Sequence, residues 1–208
     1  MSSTQLGQTK KSPSRRNAES LSPRERILAA ARELFCKDGI RAVSVDAVAA
    51  AADTNKMTLY RHFESKDLLV AECLRSLAAE AETSWQEVAR TYTDDPEKRL
   101  QVWADQLAHA FAHEGERGCP LANAAVELPD KDHPARAVIE ECKTAQRNHL
   151  VVLCRDAGYA EPESLADGII LLLEGARMTR QSVGPTGPCC RLDDMVRTVI
   201  AGHPKKAS

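Results

Sequence analysis

No long hydrophobic run interrupts this chain of 208 residues. Its longest strongly apolar run, Gly168 to Leu173, falls far short of the ~20 residues that span a bilayer, so no membrane helix is expected. The first twenty residues carry no apolar signal-peptide core. Seven cysteines, at 36, 73, 119, 142, 154, 189 and 190, include no CxxC pair and no zinc spacing, and without an export signal they are expected to stay reduced. Catalytic signatures are missing as well: there is no GxSxG, no HExxH and no glycine-rich phosphate loop. The stretch "VGPTGP", Val183 to Pro188, lacks the lysine that a phosphate loop needs. These absences predict a cytoplasmic protein that is not an enzyme and needs no cofactor.

What is present is helical periodicity. Apolar residues make up 43% of the chain, and they recur mostly at helical spacing, as in "RILAAARELF" and "LADGIILLLEGA". The expected fold is all-α. The near-neutral net charge of −2 hides an asymmetry. Residues 1–66 hold twelve Lys or Arg against seven Asp or Glu, whereas residues 67–208 hold sixteen against twenty-three. A cationic front on an acidic body points to a polyanion met only by the front, although such a split also serves plain solubility.

Residues 1–20 are Ser-rich, basic and aperiodic, which predicts a disordered arm with Lys10, Lys11, Arg15 and Arg16. Ser22-Pro23-Arg24-Glu25 then reads as a capping box with proline at the first helical position, followed by Ile27, Ala31, Leu34 and Phe35 on one face. Asp38-Gly39 ends that helix. Ser44 can cap a short helix over Val45–Ala52, with Asp46 in its first turn. Asp53-Thr54 forms a tight break, and Asn55 can cap a second short helix reaching Phe63. Ser65 can cap a longer helix that carries Leu68, Leu69, Cys73 and Leu74 inward. Helix, stop, short helix, tight turn, short helix, long helix is helix-turn-helix order. The segment "NKMTLYRHFESK" fits a recognition helix: Leu59 and Phe63 are its only large inward anchors, and the rest is left for the outside.

Over Glu25–Leu74 the residues resemble the DNA-binding domain of TetR-type (TetR/AcrR) transcriptional regulators. Thr58-Leu59-Tyr60-Arg61-His62-Phe63 stands at the family's Thr-Leu-Tyr-x-His-Phe core, and Ser65-Lys66-Asp67 at its Ser-Lys-Asp/Glu helix start. Asp53 replaces the usual turn glycine and Thr54 the usual hydrophobic residue. The resemblance implies a three-helix DNA-binding domain at 21–67, an effector-binding and dimerising bundle at 68–203, and a tail at 204–208. It also implies contacts to a double-stranded, palindromic operator by Ser44, Asn55, Lys56, Met57, Thr58, Tyr60, Arg61, His62 and Lys66. Lys56, Met57 and Arg61 suit base edges, with Arg or Lys to guanine O6/N7 and Met57 to a thymine methyl. Thr58, Tyr60 and His62 match the family's phosphate clamps, and Lys66 adds its charge at a helix start. Repression is the family's usual mode, in a protein associated with the nucleoid.

Beyond Ser76, helical patterns run at about 76–92, 96–113, 119–128, 134–157, 162–182 and 191–201, with Pro/Gly breaks between them. The stretch from Gly118 to Ile139 resembles a segment of many effector domains of this type. Cys119, Asn123 and Glu127 form a polar stripe on its apolar helix. Facing inward, that stripe would help line a pocket for a small, largely hydrophobic effector with Trp103, Leu107 and Phe111; facing outward, it would simply be solvated. A homodimer is expected from the last two long helices, with Leu165, Ile169, Leu172, Leu173 and Ala176 either facing the partner or filling the chain's own core. A different reading makes the protein a metal or redox sensor through His109, His113 and its cysteines.

Overall fold

The computed structural model describes residues 21–90, 94–113 and 117–207. The basic arm expected at 1–20 lies outside the described residues. Nine α-helices and one 3-10 turn follow one another among the described residues. In α1, Pro23–Asp38, the predicted capping box is formed: the Glu25 amide donates to Ser22 Oγ (3.3 Å) and the Ser22 amide to Glu25 Oε2 (2.7 Å). The Gly39 amide donates to Phe35 O at 3.1 Å and ends the helix at φ 89°, a conformation that glycine enters without steric cost. In α2, Val45–Ala51, Ser44 Oγ accepts the Ala47 amide at 3.1 Å. Asp53 then turns the chain at φ 49°, and Asn55 Oδ1 caps α3, Lys56–His62, through the Thr58 amide at 2.9 Å. Each cap satisfies one of the free amides that begin a helix.

Helix α4, Lys66–Arg90, starts at Ser65, whose hydroxyl accepts the Leu68 amide at 3.1 Å. Its 25 residues span about 37 Å and pass the expected domain boundary at residue 68 without a break. Leu69, Val70, Cys73 and Leu74 are buried, but Leu68, expected inward, is exposed, because it stands one residue off the Leu69/Cys73 row. The body continues with α5, Pro96–His113; α6, Pro120–Glu127; α7, Pro134–Asp156; α8, Pro162–Val183; the 3-10 turn Pro188–Arg191; and α9, Leu192–Gly202. Residues 204–207, expected as a tail, are partly tied down: the Lys206 amide donates to Gly158 O at 2.8 Å and the Ala160 amide to Pro204 O at 2.9 Å.

Two apolar clusters hold these helices together. One joins Ile27, Phe35, Val48, Leu59, Phe63 and the first half of α4 to Leu121 and Ala124 of α6 and to Val138 and Ile139 of α7. The other gathers Leu100, Trp103, Leu150, Leu165, Ile169 and Val196. Helices α1 to α3 therefore share their core with α6 and the start of α7. Leu165, Ile169 and Ala176, offered above as a partner face, are buried in the chain's own second cluster. The exposed apolar residues of α8 are Leu171, Met178 and Val183. Among the described residues no helix is long and apolar enough to cross a membrane.

Candidate DNA-binding face and effector cavities

Helix α3 buries Leu59 completely and turns the rest of its surface outward. Lys56, Met57, Tyr60, Arg61 and His62 are exposed, and Thr58 is half-buried. Met57 is 84% exposed, a large apolar side chain held out in water. Lys56 Nζ lies 3.3 Å from Asp46 Oδ2 of α2, so the two helices of the motif meet through an exposed ion pair. Ser44 and Asn55 spend their oxygens on capping and keep their O–H and N–H donors for an outside acceptor. Lys66 turns partly inward: its ammonium donates to Ile40 O at 2.6 Å and lies 6.0 Å from the Phe35 ring centroid. An ammonium has three donors, which leaves two for a phosphate.

Two arginines that the sequence did not single out brace this face. Arg24 places its guanidinium 5.0 Å from the Phe63 ring centroid and 2.9 Å from Glu72 Oε2, joining α1 to α4 over the end of α3. Arg26 Nε donates to Ala52 O at 3.1 Å and so fastens the end of α2 just before the turn. Both are polar residues on a helix whose apolar stripe carried the sequence signal. Only the tertiary arrangement reveals their targets.

The body contains a cavity of about 830 Å³ lined by Trp85 of α4, Trp103 and Leu107 of α5, and residues of α6, α7 and α8. Trp85 stacks on Trp103 at 5.5 Å between centroids and on His149 at 5.3 Å. His149 Nε2 meets Glu82 Oε2 at 2.8 Å, and this hydrogen bond holds the Glu82 carboxyl below its ordinary range. At the cavity's polar end Lys143 donates to Glu174 Oε1 at 2.6 Å, and Arg147 grips both Asp167 oxygens at 2.6 and 2.9 Å. Aromatic and aliphatic walls with a few oriented polar groups are the usual make-up of a small-molecule site.

The six ligand candidates do not converge on it. Trp103 and Leu107 line this cavity, whereas Asn123 and Glu127 line a second one of about 610 Å³ between α1, α4 and α6. Phe111 is buried beneath the Arg180 guanidinium, which also donates to Phe111 O. Cys119 is buried at the start of α6, with Lys143 Nζ 3.7 Å from its sulfur. Asn123 and Glu127 thus face α1 and α4 and not the tryptophans, while Cys119 sits beside Lys143 of the larger cavity's lining.

Among the described residues no three His, Cys, Asp or Glu side chains gather as for a metal ion. His109 is exposed on α5, and the His113 side chain lies outside the described residues. Burial pushes the Cys73 and Cys154 thiols up to about 12 and raises Cys36 and Cys142 as well, which disfavours the reactive thiolate.

Comparison with known proteins matches this architecture. Residues 27–73 match the family model of bacterial regulatory proteins of the tetR family, and residues 96–187 match the C-terminal domain of LmrA/YxaF-like transcriptional regulators. The chain is 24% identical over 152 residues to the HTH-type transcriptional regulator YjdC of Escherichia coli, covering 73% of this chain and 80% of that protein. It is 23% identical over 127 residues to the HTH-type transcriptional regulator QacR of Staphylococcus aureus, covering 61% and 64%. A TetR-family regulator from Streptomyces coelicolor superposes with a TM-score of 0.78 at 23% identity, over 86% of this chain and 94% of that one. The two matched family models, which between them span most of the chain, place it in the TetR family of DNA-binding transcriptional regulators.

Proposed function

We propose that the protein is a ligand-responsive repressor. It binds a palindromic operator as a homodimer and is released when a small, largely hydrophobic molecule enters the Trp103 cavity. The observation that carries this reading is α3: a short helix with a single fully buried anchor that holds Lys56, Met57, Tyr60 and Arg61 out in water. Such a face matches a major groove, which offers acceptors for Lys56 and Arg61 and thymine methyls for Met57. Tyr60, Thr58 and His62 would fix the register on phosphates, helped by Ser44, Asn55 and Lys66.

Helix α4 supplies the route for release. It begins beside α3 at Lys66 and ends at Arg90, with Trp85 in the cavity wall. A ligand against Trp85 and Trp103 displaces one end of a rigid rod whose other end orients the DNA-binding helices. A coupling of ~1–3 kcal/mol is enough for a ~5–150-fold loss of affinity. Selection of duplexes by the purified protein, followed by titration of a Lys56→Ala, Arg61→Ala double variant, tests the interface. The double variant should lose base preference and weaken by about 100-fold or more. Unchanged affinity would remove α3 from the interface.

A further inference from the structure

We propose that the cavity between α1, α4 and α6 is a second ligand site, which takes a small, mostly apolar anion and loosens the DNA-binding helices when filled. The proposal does not depend on the effector reading of the Trp103 cavity. The second cavity measures about 610 Å³, within the range of small-molecule sites. Phe35 and Ile40 on one side, Val70, Leu74 and Leu77 along α4, and Ala124 of α6 make its walls apolar.

Its charged end is a clasp around the turn that closes α1. Arg117, just before α6, donates from Nη1 to Lys37 O at 3.3 Å and from Nη2 to Glu127 Oε1 at 3.1 Å. Glu127 Oε2 accepts the Arg41 amide at 3.0 Å. One ion pair of the body thus holds the chain on both sides of Gly39. The missing side chain makes the room: a Cβ at Gly39 would stand 2.9 Å from both Arg117 terminal nitrogens and from Glu127 Oε1. The held segment also supplies Ile40 O, the acceptor of Lys66 at the head of α4. Body, turn and DNA-facing helix start are therefore connected through consecutive hydrogen bonds.

The donors left over decide the ligand's charge. Arg32 is already chelated by Glu80 at 2.7 and 2.8 Å. Arg117 is 40% exposed on its side chain, against 19% for Glu127, and has further donors in its fork. Lys37 stands exposed on the same rim. An acid group entering beside the apolar walls can compete for Arg117 from its exposed side, while Glu127 keeps the Arg41 amide as a partner. Exchange of partners opens the clasp, frees Lys37 O and lets the Gly39 turn move.

The probe for this site is 8-anilinonaphthalene-1-sulfonate, an apolar aromatic with one sulfonate. In an Ile170→Trp variant, which fills the Trp103 cavity, the probe should still bind one site per chain and lower affinity for a selected duplex by about 10-fold. Cys36→Trp, which fills the second cavity from its half-buried wall, and Arg117→Gln, which removes the anion's partner, should each weaken that binding by about 10-fold or more. Thermal melts establish that the variants fold, and the half-exposed Arg117→Gln carries the test if Cys36→Trp does not. Probe binding indifferent to the two substitutions overturns the proposal. So does duplex affinity that the bound probe leaves unchanged, or loss of all probe binding in Ile170→Trp.

Discussion

Asp53 shows what a single residue contributes to the DNA-binding motif. Its φ of 49° lies in the left-handed region, where a Cβ is crowded and only aspartate and asparagine fare tolerably among residues with side chains. The turn is still well made, with the Asp53 amide donating to Ala50 O at 3.2 Å and the Thr54 amide to Ala49 O at 3.0 Å. Removing the side chain relieves the crowding but loosens the unfolded chain, so the two effects partly cancel. Asp53→Gly is expected to stabilise the protein by about 0.5 kcal/mol, read from urea unfolding; a loss of stability would show that the aspartate is preferred here. This strain was legible in the sequence, and so were the caps at Ser22, Ser44, Asn55 and Ser65, because a cap is decided within three or four residues of chain. Asn123 and Glu127 were harder. Their spacing put them on one stripe, but what the stripe faces is set by α1, more than eighty residues earlier, so its destination at the Gly39 turn was hidden.

At the scale of elements, α4 is where the two halves of the molecule meet, and its outer face is fastened by ion pairs. Arg32 of α1 chelates Glu80, and the hydrogen bonds from that guanidinium hold the Glu80 carboxyl below its ordinary range. A carboxylate with a depressed folded-state pKa stabilises the fold at every pH above its unfolded value of about 4.3. That contribution disappears as pH falls through the folded value. Glu80→Gln should therefore melt below the parent protein at pH 7, with a gap that closes as the pH falls below the ordinary carboxylate range and narrows in high salt, since Glu80 is exposed. A gap independent of pH would mean that the glutamate acts by packing alone. The existence and start of this helix were readable from Ser65 and its apolar row. Its passage through both halves was readable only as length, and the shared core with α6 was not readable at all, since periodicity marks a buried face without naming what buries it.

The whole molecule raises the question of how a second copy docks. Helix α8 carries an unbroken apolar run from Gly168 to Leu173 that goes right round the helix, so its pattern alone could not separate the stripe packed on its own bundle from one left for a partner. The structure separates them: Leu165, Ile169 and Ala176 go inward, while Leu171, Gly175, Met178 and Ser182 form an outward row at i, i+4, i+7 and i+11. Leu171 is 73% exposed and Met178 60%, and Met195 of α9 is 46% exposed. Beyond its own helix backbone and chain neighbours, Gly175 has no heavy atom within 4 Å of where its Cβ would be, which leaves room for another helix to approach closely. We expect this row to form the two-fold interface, because one recognition helix buries too little surface for a tight specific site and a dimer doubles it. Leu171 also lines the Trp103 cavity, so Met178→Arg with Met195→Arg is the cleaner test. Both positions are exposed in the single chain, and the substitutions should leave its fold intact while placing four like charges across the interface. Sedimentation should then show a monomer at micromolar concentration, and affinity for a selected palindromic duplex should fall by about 100-fold or more. A double variant that still sediments as a dimer and binds the duplex normally would place the interface elsewhere on the body.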